Sequence, residues 1–354
     1  MMHNDHRRRT VLSVIFSTAV LPIALAGFSG AADITTGQVC PVPTMKSGER
    51  PGDGGPPTVI SVGVWLMDVT EIDDVSQRVS ADLLVYQSWV DSRLEGLVGC
   101  RFGLDQVWSP QLAFLNSGRV FPSVPDRVSV GSGGKVQYVQ RYQGSLSFPH
   151  RLDDFPFDRH VIRISLVPVE YLDHEVTLAV GEKTTGREQA FTIPDWSFYT
   201  PKAQIGTLPN PQTRVTASQY NFNLPAERRS NYYVWKIIIP LVLIVAMSWT
   251  VFWINPAQFG PQIGMSATSM LTLIAFQFAS GNILPRLNYF TVLDEFIISS
   301  TIIVFLALIQ SLSTSYLVSC NRKVLAMKLD WVCRILFPLS FSIMLLYVFQ
   351  LWVF

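Results

Sequence analysis

Residues 262–284 read QIGMSATSMLTLIAFQFASGNIL, and this stretch decides the fold. It is long enough to cross a bilayer. Yet Gly264, Ser266, Thr268, Ser269, Thr272, Gln277, Ser280 and Gly281 make it more polar than a lipid-facing helix. Polar groups at membrane depth must face protein or a water-filled cavity. Gly264, Thr268, Leu271, Ala275 and Phe278 recur at steps of four and three, which puts them on one narrow helical stripe. The stripe is polar at its inner end and apolar above. It suits the wall of an aqueous path, with a ring of Leu271 side chains closing it by dewetting. One four-helix subunit cannot enclose such a path, so a symmetric ring of copies is implied. The small residues equally suit a helix packed closely inside a bundle.

Outward from this stretch the chain divides between two solvents. Further apolar runs cover about 234–254, 292–316 and 331–354, giving four expected spans with 262–284. Pro240 lies inside the first, which membrane helices tolerate. The link between the last two carries Arg322, Lys323 and Lys328, with Arg334 just beyond. The positive-inside rule makes that link cytoplasmic. Before Arg229 the pattern is β. Ile162, Ile164 and Leu166 alternate with Val161, Arg163 and Ser165, and turn signals such as Gly131-Ser132-Gly133-Gly134 recur at short intervals. The expected fold is an extracellular antiparallel β-sandwich (immunoglobulin-like), residues 58–229, followed by a four-helix transmembrane bundle, residues 230–354.

Residues 1–32 read as an export signal, with Arg7, Arg8 and Arg9 before the apolar run Val11–Ala26 and small residues at Gly30-Ala31-Ala32. Residues 33–57, rich in Gly and Pro, read as a flexible leader. Of four cysteines only Cys40 and Cys100 could meet outside the membrane. The spacing gives no disulfide framework, so the sandwich is expected to hold by packing. The formal charge of +1 exerts no bulk pull on nucleic acid. His150, His160 and His174 form no triad or metal-ligand spacing, so no catalytic residue, metal or cofactor is expected. A transporter would show repeats and broken helices. A membrane-anchored sensor that does not conduct remains the alternative.

Several motifs in order resemble one family, the bacterial pentameric ligand-gated channels related to the animal neurotransmitter receptors. They are Val64-Trp65-Leu66-Met67-Asp68, Trp89-Val90-Asp91-Ser92-Arg93-Leu94, Val107-Trp108-Ser109-Pro110, Phe155-Pro156-Phe157-Asp158 and Asn282-Ile283-Leu284-Pro285-Arg286-Leu287. Animal members flank the Phe-Pro-Phe-Asp tip with two cysteines. Phe148 and Ile162 stand there instead, as in the bacterial branch. The resemblance implies a homopentamer (four identical partners around each subunit) in the inner membrane, exposed to membrane lipids, conducting inorganic ions and opened by a small-molecule or proton agonist. It places Asp74, Asp158 and Arg228 in a charge cluster at the domain boundary, with Pro156 and Phe157 pressing on Pro285 and Arg286. It places the agonist between neighbouring sandwiches, with Phe114, Tyr171, Trp196 and Arg214 as candidates. The loop at about Ile205–Ala217 has no aromatic residue to cage an amine, which favours a small anion, a polar molecule or protons. Val251–Gly281 contains no Asp, Glu, Lys or Arg. Where anion-selective animal relatives carry Arg at the inner mouth, this chain has Gln262. An uncharged mouth leans toward anion-permeable or weakly selective conduction.

Overall fold

The computed structural model describes residues 40–43, 48–209, 216–281 and 287–350. The export signal, Arg214, Asn282, Pro285 and Arg286 lie outside the described residues.

Strands β1 (Thr58–Asp73), β2 (Arg78–Val90), β3 (Arg101–Gly103), β4 (Leu112–Phe114), β5 (Ser117–Pro122), β6 (Arg127–Val130) and β7 (Lys135–Ser147) are followed by β8 (Arg159–Pro168), β9 (Val176–Val180), β10 (Gly186–Arg187), β11 (Trp196–Phe198), β12 (Lys202–Pro209) and β13 (Thr216–Arg228). One sheet runs β10-β1-β2-β7-β6-β3, with β5 on β7 and β9 on β1. The other runs β11-β13-β8-β4, with β12 on β13. Alternation buries Val79, Ala81, Leu83, Val85 and Trp89 from β2 against Ile162, Ile164 and Leu166 from β8 and Tyr220, Phe222 and Leu224 from β13. The sandwich departs from the antiparallel expectation at two places: β9 and β10 pair with β1 in parallel. The chain crosses from the second sheet before β9, and β9 and β10 then run along β1 one after the other in its direction.

Two further expectations are corrected. Cys40 and Cys100 are disulfide-bonded across 60 residues of chain. Closing a loop of that size contributes about 4 kcal/mol by chain-entropy bookkeeping, so packing is not the only hold. Residues 48–57 are also tied down rather than loose. Arg50 is buried, and its Nη1 donates to the carbonyls of Pro56 and Glu175 and to Thr58 Oγ1. One guanidinium satisfies three acceptors and anchors a stretch that has no apolar side chains to do so.

Four helices follow, each long and apolar enough to cross a membrane: α1 (Asn231–Trp253), α2 (Phe259–Ser280), α3 (Val292–Ser319) and α4 (Lys323–Gln350). Pro240 cannot donate to the carbonyl one turn earlier, and α1 widens into a π-turn at Val234–Ile238 beside it. A capping box starts α3: Thr291 Oγ1 accepts from the Asp294 N–H, and the Asp294 carboxylate accepts from the Thr291 N–H. The fourth helix begins at Lys323, eight residues before the expected start. Lys323, Lys328 and Asp330 lower the hydropathy of this turn pair without interrupting its backbone bonds. The link to α3 therefore shrinks to about three residues around Asn321, whose φ of 61° makes the turn.

Candidate functional site

The charge cluster is built by strand ends. Asp74 lies in the turn between β1 and β2, Asp158 immediately precedes β8, and Arg228 ends β13. Antiparallel pairing of β13 with both β8 and β11 delivers Arg228 opposite Trp196 and beside Asp158. Arg228 Nε donates to Asp158 Oδ1 at 2.8 Å, and Nη2 reaches Asp74 Oδ1 at 2.8 Å and Asp158 Oδ2 at 3.2 Å. The guanidinium lies 4.4 Å from the Trp196 ring and 5.1 Å from that of Phe155. Arg228 is 8% and Asp158 1% exposed, so water screens little here. Burial pushes both carboxyls up, but imidazole and guanidinium contacts outweigh it and hold each below the usual carboxylate range. Arg228 is opposed by burial in turn and held above its ordinary value by the two aspartates.

Two histidines complete the cluster. His160 Nε2 meets Asp158 Oδ2 at 2.8 Å. His150 Nδ1 meets the Phe148 carbonyl at 2.7 Å, and its Nε2 meets Asp74 Oδ1 at 3.2 Å. Both partners of His150 are acceptors. A neutral imidazole has one N–H and satisfies one of them, whereas an imidazolium satisfies both. The His150 ring stacks on Phe148 at 4.3 Å between centroids and meets the tilted His160 ring at 4.7 Å.

The loop between the histidines docks on the bundle. Leu152 and Phe155 are buried with Ile237, Ile238, Leu241, Leu293 and Phe296, and Phe157 packs against the same cluster. Pro156 is buried as well. Leu152 N–H donates to Tyr289 Oη, and the carbonyls of Asp153 and Phe155 accept from the N–H groups of Val292 and Leu293. Among the described residues, the loop's docking partner is thus the stretch leading into α3. Sequence reading missed Tyr289 and the two histidines' part in the cluster. The signal for His150 and His160 was that they flank the tip.

On α2, Gly264, Thr268, Leu271, Ala275 and Phe278 are all exposed, with Leu271 at 68% and Phe278 at 77%. The opposite face buries Gln262, Ser266, Ser269, Leu273 and Ser280. The hydroxyls of Ser266, Ser269 and Ser280 donate to carbonyls one turn back and pack within the bundle. The polarity of the quoted stretch therefore has two origins, one face toward helices and one uncovered.

The candidate ligand residues separate. Phe114 packs edge-on against Tyr142 at 4.9 Å. Tyr171 accepts from Trp108 Nε1 at 2.8 Å, and that indole packs on Trp89. Trp196 is remote from this group in role: it carries the Arg228 guanidinium. A cavity of about 710 Å³ opens beside Tyr86, Ser88, Lys135, Gln137, Glu182 and Lys183, and Phe114, Tyr171 and Trp196 do not line it.

Comparison with known proteins agrees with this architecture. The sequence profile of the neurotransmitter-gated ion-channel ligand binding domain matches residues 44–228, and that of the neurotransmitter-gated ion-channel transmembrane region matches residues 237–323. The chain is 23% identical over 291 residues to the proton-gated ion channel of Gloeobacter violaceus, covering 80% of each. It is 25% identical over 296 residues to the gamma-aminobutyric acid receptor subunit gamma-3 of Mus musculus, covering 79% of this chain and 62% of the relative. It is 26% identical over 284 residues to the subunit alpha-4 of Rattus norvegicus, covering 75% of this chain and 50% of the relative. With an extracellular sandwich, four apolar spans and both profiles in register, this chain belongs to the neurotransmitter-gated ion-channel family, a family of ligand-gated receptors and not of enzymes.

Proposed function

We propose that the chain is one subunit of a homopentameric ligand-gated channel whose pore is lined by α2. The observation that carries this reading is the uncovered stripe on α2, where an apolar Leu271 and Phe278 stand exposed in one subunit and need neighbours of the same kind. The exposed apolar faces of α3 and α4 suit lipid. The proposed location is the inner membrane of a bacterium, with the sandwich outside, which the Gloeobacter relative and the short basic turn before α4 favour. The agonist sits between neighbouring sandwiches; Phe114, Tyr171 and Arg214 are candidates, with Trp196 serving the boundary cluster. Coupling runs from Asp74, Asp158 and Arg228 through Pro156 and Phe157 toward Pro285 and Arg286. The absence of charged side chains in Val251–Gly281 supports anion-permeable or weakly selective conduction.

Purified protein in planar bilayers, with ion substitution, tests this directly. Agonist-dependent currents are expected, with a reversal potential that shifts with the Cl⁻ gradient. A reversal potential following Na⁺ or K⁺ alone overturns the selectivity. Pentamers that stay silent to pH steps and small-molecule screens favour the non-conducting sensor.

Protons are the agonist that one local observation favours. His150 faces two acceptors and completes both bonds only when protonated. Its new charge competes with Arg228 for the same Asp74 oxygen. The facing groups are Asp74, Asp158, Arg228 and His160, with Asp154 just outside, its carboxyl raised by burial and by its acidic neighbours. Acidifying the outer bath is expected to evoke current. His150→Phe, which keeps a ring on Phe148, is expected to shift the half-activating pH by about one unit or more. An unchanged pH response in that variant excludes His150 as the sensor.

A further inference from the structure

The inner end of the bundle holds a carboxylate that the proposed function does not use. Asp330 on α4 is 1% exposed, inside a membrane-spanning helix. A carboxylate at that depth is costly and demands partners. Its two oxygens meet amides from two other helices. Gln310 Nε2 of α3 lies 2.6 Å from Oδ1, and Gln262 Nε2 of α2 lies 3.5 Å from Oδ2. The Oε1 atoms of both glutamines and the Ser311 hydroxyl are buried without a hydrogen-bond partner among the described residues. Arg334, one turn further along α4, donates to the Phe252 carbonyl at the end of α1. The inner half of α4 thus grips all three other helices through polar bonds.

Gln262 matters because of where it sits on α2. It is fully buried, while Gly264, two residues on, begins the exposed stripe. Two residues subtend about 200° on a helix, so the two lie on opposite faces. Holding Gln262 against Asp330 fixes the rotation of α2 about its own axis at the inner mouth. Without that hold, the amide is free to swing and the stripe to turn with it.

We propose that Asp330 is a positioning residue for conduction: it anchors Gln262, sets the rotation of the pore helix at its inner mouth, and keeps this amide out of the pore. The proposal rests on the reading of α2 as pore helix. It acts through hydrogen bonding, not through charge. An amide in place of the carboxylate can donate to one of the orphaned Oε1 atoms and accept from the other glutamine, so Asp330→Asn preserves the hold. Asp330→Leu removes it.

Cysteine accessibility tests this in the full-length channel with Cys320→Ser, since Cys320 is exposed and Cys333 is buried. Gly264→Cys is the control: a Cβ there meets nothing within 4 Å. Methanethiosulfonate ethylammonium, applied from the inner side, is expected to modify Gly264→Cys in every background. Ser266→Cys, one turn above Gln262 on the same buried face, is expected to react slowly with Asp330 or Asp330→Asn present, and at least about tenfold faster with Asp330→Leu, the size of effect one hydrogen bond supplies. Should Asp330→Leu fail to assemble, Gln262→Ala, which removes the held amide and leaves the carboxylate with Gln310, is expected to accelerate Ser266→Cys in the same direction. Equal Ser266→Cys rates in all backgrounds overturn the proposal, as does Asp330→Asn behaving like Asp330→Leu. An unreactive Gly264→Cys in a conducting channel instead overturns the pore reading itself.

Discussion

Arg228→Ala is expected to abolish agonist-evoked current while pentamers still assemble. The substitution leaves buried Asp158 and half-buried Asp74 without their shared cation. Removing one partner of a buried ion pair costs about 3–5 kcal/mol. At about 1.4 kcal/mol per tenfold, that moves a gating equilibrium by two to three orders of magnitude. Assembly survives because the backbone bond from Arg228 N–H to the Asp158 carbonyl, and the β13–β8 ladder around it, need no side chain. Arg228→Lys keeps the charge but not the fork that spans both carboxylates, so a partial response is expected. Size-exclusion chromatography beside agonist-evoked currents checks both halves; normal currents from Arg228→Ala would sink the coupling role. The pH dependence of this cluster has a definite sign. Asp74 and Asp158 have folded pKa values below their ordinary carboxylate value of 3.8. Their contribution is therefore present above that value and lost only as pH falls through the still lower folded ones. A response to mild acidification therefore cannot come from those two carboxylates.

Leu271→Ser is expected to leave channels open without agonist, or to lower the agonist requirement by at least about tenfold. Each leucine side chain is worth about 1.5–3 kcal/mol when withdrawn from water, and a homopentamer replaces five at one level. A hydroxyl ring wets the constriction that a leucine ring keeps dry. Folding is not the concern: Leu271 is 68% exposed within its subunit. The neighbouring hydroxyls of Thr268 and Thr272 already donate to carbonyls four residues back, so a serine fits the helix. Resting conductance in agonist-free patches reads the effect. An unchanged leak together with an unchanged concentration–response curve excludes Leu271 as the gate.

Much of the boundary cluster was legible because its members sit in motifs that resemble one family. Trp196 was legible as an aromatic residue but not as the platform for Arg228, because that depends on β11 pairing with β13 at one register. Asp330 passed unnoticed as one carboxylate near the start of an apolar run. Its partners are 20 and 68 residues away, on different helices. The Cys40–Cys100 bridge was obscured because Cys40 sits in a stretch with no apolar pattern, which Arg50 and the bridge tie onto the sandwich.

By itself the sequence determined the division into a half made for water and a half made for lipid, the four spans, and the stripe on residues 262–284. Each follows from local composition and from the angular period of a helix or strand, which need no knowledge of distant neighbours. Only the tertiary structure decided which hydroxyls of that stretch turn inward, which side of α2 remains uncovered, and which cation meets which carboxylate. Arg228 and Asp74 are 154 residues apart in the chain and 2.8 Å apart in space. A contact of that kind exists only after two sheets and a bundle have packed, and no periodicity along the chain encodes it.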